Sequence, residues 1–152
     1  MKAENFNQWF RWALISLVIV ALYGTMMRYK IAFDFPFFDQ RNLLHAHSHF
    51  AFSGWISHVL YAGLALLLFP FLSERQRKKY NVLISLNLFS AFGMLIAFTL
   101  QGYKAVSISF STVSIVIAIL FTWYFVTDAK RLPAHHRSKP WAIAALCLNV
   151  LS

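Results

Sequence analysis

The chain is poor in the residues that build soluble enzyme sites. It has one cysteine, Cys147. A single thiol excludes an internal disulfide, a CxxC redox pair and a cysteine-ligated iron–sulfur cluster. Cys147 lies in an apolar stretch and reads as a small core residue. Acidic residues are also scarce: there are 5 Asp and Glu among 152 residues, and charged residues make up only 12%. A soluble domain carries about 25%. No carboxylate falls in the core of any apolar run, which argues against a hydrolase and against a proton-coupled carrier, since both rely on such groups. Internal repeats and low-complexity segments are absent.

Apolar residues, by contrast, are abundant, at 59% hydrophobic and 18% aromatic. A membrane span needs roughly 20 apolar residues. The runs predict an all-α, polytopic transmembrane helix bundle forming one domain. Four full spans are expected, at about 8–27, 40–72, 80–101 and 105–127, with a partial fifth over 141–152. The first run could instead be a signal peptide, but no small-residue cleavage site follows it, so it is expected to stay as an anchor. Pro36, among Phe33, Phe35, Phe37 and Phe38, blocks a helix between the first two spans. Those rings suit a membrane interface. Asp39 is placed to cap the second span, and Gly102-Tyr103-Lys104 to turn the chain between the third and fourth.

The net charge of +9 comes from 14 Lys and Arg. Such a balance commonly signals nucleic-acid binding. Here the basic residues gather in short connections between apolar runs, so membrane topology accounts for them and no nucleic acid is expected. With the N-terminus inside, the inner segments hold Lys2, Arg11, Arg75, Arg77, Lys78, Lys79, Lys130, Arg131, Arg137 and Lys139. The outer ones hold Arg28, Lys30, Arg41 and Lys104. Ten against four predicts an N-in topology. The charged stretch 73–79 reads as a hairpin tip, and His135 and His136 read as solvated in a basic loop.

Against this background four histidines in the second span stand out: His45, His47, His49 and His58. Ionisable side chains inside a membrane are costly and mark binding or transport sites, and imidazole is a common metal and haem-iron ligand. Each helical residue turns by about 100°, so His45 and His49 share one face while His47 and His58, eleven apart, share the opposite one. One mononuclear site cannot use all four. The His45/His49 pair is spaced to ligate one metal ion. The His47/His58 face also carries Ala51, Gly54 and Ala65, whose small side chains permit either close helix packing or a planar group lying on the helix. Ser107, Ser111 and Ser114 form a stripe on the fourth span, and Ser85, Asn87 and Ser90 are polar positions on the third. All six read as helix-packing residues, with contacts to cofactor substituents as the alternative.

The segment Arg41-Asn-Leu-Leu-His45-Ala-His47-Ser-His49-Phe-Ala-Phe-Ser-Gly54-Trp55 resembles the second transmembrane helix of haem-copper oxidase catalytic subunits, the superfamily of cytochrome c oxidase and nitric oxide reductase. It is also similar to related haem- and copper-binding membrane proteins of nitric oxide metabolism. The resemblance implies a haem-binding integral membrane subunit, expected in the bacterial inner (cytoplasmic) membrane. It also implies a histidine near the outer end of this helix as axial ligand to a low-spin haem. Matching Gly54 to the oxidase pattern selects His45; matching it to the nitric-oxide-related pattern selects His47 and His49. Because the family's catalytic subunit has about twelve spans, the resemblance covers its N-terminal third. The implied role is therefore electron transfer within an oxidoreductase, not catalysis by this chain alone. The partners implied are membrane lipid, other membrane subunits, or a C-terminal remainder of the same protein. Two further readings stand beside this one: a copper- or zinc-binding transport or sensing module built on His45 and His49, and a structural membrane subunit.

Overall fold

A computed structural model of the chain describes residues 3–133 and 136–151. It is helical, with no strand among the described residues. Helix α1 covers Ala3–Ala32. The second span is continuous in space but not uniform: α2 (Gln40–Phe50) passes into a π-helix (Ala51–Ser57), then α3 (His58–Leu68), then a single 3-10 turn (Phe69–Phe71) at Pro70. Helix α4 spans Glu74–Gln101, α5 spans Ala105–Asp128 and α6 spans Ser138–Leu151. Four stretches, Asn7–Ala32, Gln40–Phe71, Glu74–Gln101 and Ala105–Arg131, are long and apolar enough to cross a membrane. The chain is an integral membrane helix bundle. At about 1.5 Å per residue, α6 is shorter than the ~30 Å hydrocarbon layer.

Local chemistry sets the ends of the elements. Asp39 caps α2, its carboxylate accepting from Arg41 N at 2.8 Å and Asn42 N at 3.1 Å. The turn after α4 depends on Gly102, whose φ of +65° disfavours any side chain. Ser107 seals that turn: its Oγ accepts from Lys104 N at 2.9 Å and lies 2.6 Å from Gly102 O. At the other end of α4 the helix begins at Glu74, six residues before the apolar run. There Gln76 Oε1 accepts from Ser73 N at 3.1 Å and from Ser73 Oγ at 2.8 Å. The expected hairpin tip 73–79 is thus mostly the first turns of α4, because Glu, Arg, Gln and Lys are strong helix formers.

Helix α4 is the centre of the bundle, packing on α2, the π-helix, α3 and α5. In its most apolar window 61% of residues are buried, against 17% for α1 and 22% for α5, so those two helices lie at the outside of the bundle. Two cores form along it. One joins Tyr61, Leu68, Tyr80, Ile84, Phe121, Phe125 and Leu146, with the Tyr61 ring stacked on Phe121 at 4.2 Å. The other joins Ala46, Phe50, Ala91, Met94 and Phe98. Helix α1 is tied to α4 by Tyr23, whose hydroxyl donates to Thr99 Oγ1 at 3.0 Å while Thr99 itself donates to Leu95 O.

Two expectations need correction. Cys147 is exposed on the outer face of α6, beside Ile119 and Trp123, and not in the core. His136 is half-buried: its Nδ1 is enclosed, so the ring is only partly solvated. His135 lies outside the described residues. The phenylalanines around Pro36 form a partly exposed cluster with Tyr29, centred on Phe35 at 5.1 Å from Phe37 and 6.0 Å from Tyr29, consistent with an interface role.

Candidate functional site

The four histidines divide between two surfaces of the second span, as their spacing predicts. His45 and His49 turn toward the end of α4 and the turn that follows it. The His49 ring lies flat on Phe98, centroids 4.5 Å apart and planes 3° from parallel. Its Nε2 shares a 2.9 Å hydrogen bond with the Tyr103 hydroxyl. His45 meets the same Tyr103 ring edge-on at 4.6 Å. The two imidazoles and the phenol form one cluster held by buried Phe98.

His47 and His58 turn toward α1. The His47 ring passes so close to Gly24 that a Cβ there would lie 3.3 Å from its Cε1. His58 is fully buried, and its Nε2 donates to the Trp9 carbonyl at 3.1 Å. The Nδ1 atoms of His47 and His58 have no hydrogen-bond partner, and neither do Ser16 Oγ and Trp9 Nε1 in the same interface. Helix packing therefore fills this face. The small residues expected to admit a planar group are filled as well: a Cβ on Gly54 would lie 2.7 Å from the Phe50 ring, and Ala65 is part of the core. A haem against the His47/His58 face does not fit this arrangement.

The His49 side differs. A groove of about 470 Å³ runs from His49 along the π-helix between the second span, α5 and α6. Its walls carry Ser48, Ser53, Ser57, Tyr61, Ser111, Ser114 and Asn149 among apolar residues. Sequence reasoning named Ser111 and Ser114 but missed Tyr61 and Asn149. Tyr61 Oη donates to Asn149 Oδ1 at 2.7 Å, and Asn149 Nδ2 donates to Ser57 Oγ at 2.7 Å. The π-helix forms one wall, and such wide turns recur at functional sites. Asn87 Nδ2 donates to Ser53 O within it at 2.8 Å. Ser90 serves α4–α5 packing, donating to Phe110 O at 2.7 Å, while Ser85 only bonds its own helix.

Chemically, the cluster offers two imidazoles and a phenol beside a groove with no charged wall. Among the described residues no three His, Cys, Asp or Glu side chains converge as a metal site. No family, curated protein or solved structure matches the chain.

Proposed function

We propose that the chain is a haem-binding redox subunit of a bacterial inner membrane, with the axial imidazole supplied by the His45/His49 cluster. One observation carries this reading. His49 stands at the end of a 470 Å³ intramembrane groove, its ring already fixed in one plane by Phe98 and Tyr103. Haem supplies one-electron transfer when bound, and the protein supplies binding and orientation. Phe98 sets the plane of the imidazole, and Tyr103 holds one ring nitrogen and so fixes the ring's orientation, part of the task that outer hydrogen bonds perform for ligating histidines. Ser48, Ser53, Ser111 and Ser114 offer hydroxyls to polar substituents. A second haem ligand would have to come from another polypeptide segment, because His47 and His58 turn to α1 and away from the groove. The role is electron transfer within an oxidoreductase assembly.

Visible spectra of the purified protein test this. A Soret band is expected, reduced at least several-fold in His49→Ala and retained in His58→Leu. A preparation with neither a Soret band nor iron sinks the proposal. The adjacency of His45 and His49 on Tyr103 favours a second reading, a copper or zinc site completed by further ligands. Copper or zinc at one equivalent per chain, lost in both His45→Ala and His49→Ala and unaccompanied by iron, would select it.

A further inference from the structure

At the opposite end of the bundle from the histidine cluster, a second groove lies between α4 and α5. It is a shallow, open depression of about 380 Å³ lined by Arg75, Lys78, Lys79, Val82, Leu83, Leu120 and Tyr124. Its chemistry changes along its length. Arg75, Lys78 and Lys79 occupy successive turns at the start of α4, and Val82 and Leu83 continue the same face one turn deeper. Leu120 and Tyr124, four apart on α5, form the facing wall. The groove is cationic at its mouth and apolar toward the middle of the membrane. Tyr124 marks the boundary, with Lys79 Nζ 5.2 Å above its ring.

Glu74 and Asp128, the acids of α4 and α5 at this end, are engaged with other groups. Glu74 pairs with Arg77 at 2.9 Å. Asp128 is buried between α4 and α5, where its carboxylate accepts from Gln76 Nε2 at 2.9 Å and Tyr80 Oη at 3.1 Å and lies 3.5 Å from Arg131. The other cations in the first turns of α4, Arg75, Lys78 and Lys79, are exposed and share the groove mouth. The N-terminal end of α4 adds the positive pole of its helix dipole. A matching ligand presents negative charge at the helix end and an apolar chain along Val82, Leu83 and Leu120.

We infer that this groove is a binding site for an anionic phospholipid, with the phosphate held by Arg75, Lys78 and Lys79 and an acyl chain lying between α4 and α5. General attraction of basic loops to an anionic leaflet is distributed over every basic segment at this end. A built site depends instead on these three side chains and on an open apolar floor. It is independent of any cofactor at the other end of the bundle.

Native mass spectrometry of the full chain, released from micelles holding equimolar phosphatidylglycerol and phosphatidylcholine, tests the site. Wild type is expected to retain phosphatidylglycerol in preference. The triple variant Arg75→Gln, Lys78→Gln, Lys79→Gln should lower that retention about tenfold or more. Leu120→Trp, which fills the floor without changing charge, should lower it as well. Arg137→Gln with Lys139→Gln, removing charge from the neighbouring basic loop, should leave retention within about twofold. Three outcomes would overturn the inference: no preference for phosphatidylglycerol in wild type, equal losses in both charge variants, or full retention in Leu120→Trp. Displacement of the lipid by millimolar inorganic phosphate would also overturn it, by showing a phosphate site indifferent to the acyl chain.

Discussion

His58 shows how a histidine in a membrane span can be structural. Its single hydrogen bond goes to the Trp9 carbonyl, a group already inside helix α1, and its Nδ1 is buried with no partner. A buried polar group satisfied on one side only contributes little net stability, and replacing it with an apolar side chain of similar size is often neutral. His58→Leu is therefore expected to change stability by less than about 1 kcal/mol, measured by thermal unfolding in detergent. Gly102 is the opposite case. Its φ of +65° and ψ of −145° lie in a region essentially reserved for glycine, and a Cβ there would run into the Asn42 side chain. Gly102→Ala should cost about 1–3 kcal/mol, seen as a lowered melting temperature. The division of the four histidines was legible at this scale, because it needs only helical periodicity. The partners were not: Phe98 and Tyr103 stand some fifty residues further along the chain, and no local pattern joins them to His49.

Among the elements, the second span departs most from a sequence-based expectation. Its limits could be read from Asp39, the apolar run and Pro70. The π-helix over Ala51–Ser57 could not, because Ala-Phe-Ser-Gly-Trp-Ile-Ser is as apolar and as small as many α-helical stretches. What marks it is tertiary. Phe50 folds over Gly54, and Asn87 reaches from α4 to the Ser53 carbonyl. The wide turns rotate less per residue than an α-helix, so the α-helical estimate for His47 and His58 is only approximate here, although both still meet α1. Removing the Asn87 amide should loosen this junction. Interhelical hydrogen bonds in bilayers average about 0.6 kcal/mol with a maximum near 1.7. Asn87→Ala is expected to fall within that range, and faster amide exchange confined to residues 51–57 would distinguish loss of this bond from general destabilisation.

For the molecule as a whole, the path of the chain makes one topological statement. Four spans run alternately, so the start of α1, the α3–α4 connection and the α5–α6 connection lie at one end, and the α1–α2 loop and the Gly102 turn at the other. The basic residues divide in the same way, with Arg75, Arg77, Lys78, Lys79, Lys130, Arg131, Arg137 and Lys139 at the first end. Three acids, Glu4, Glu74 and Asp128, stand against them there, and Glu74 and Asp128 each pair with a basic residue three positions along the chain. This asymmetry predicts that the first end faces the cytoplasm, which puts the His45/His49 cluster near the outer surface and the lipid groove in the inner leaflet. Cysteine labelling can decide the orientation once the exposed native thiol is removed by Cys147→Ser. In that background Lys104→Cys, exposed beside the Gly102 turn, should react with a membrane-impermeant maleimide in intact spheroplasts, whereas Lys78→Cys should react only after permeabilisation. The reverse pattern would move the histidine cluster to the cytoplasmic surface and set the fold against its own charge distribution. Labelling of both sites from one side would mean that α4, the span between them, does not cross the membrane.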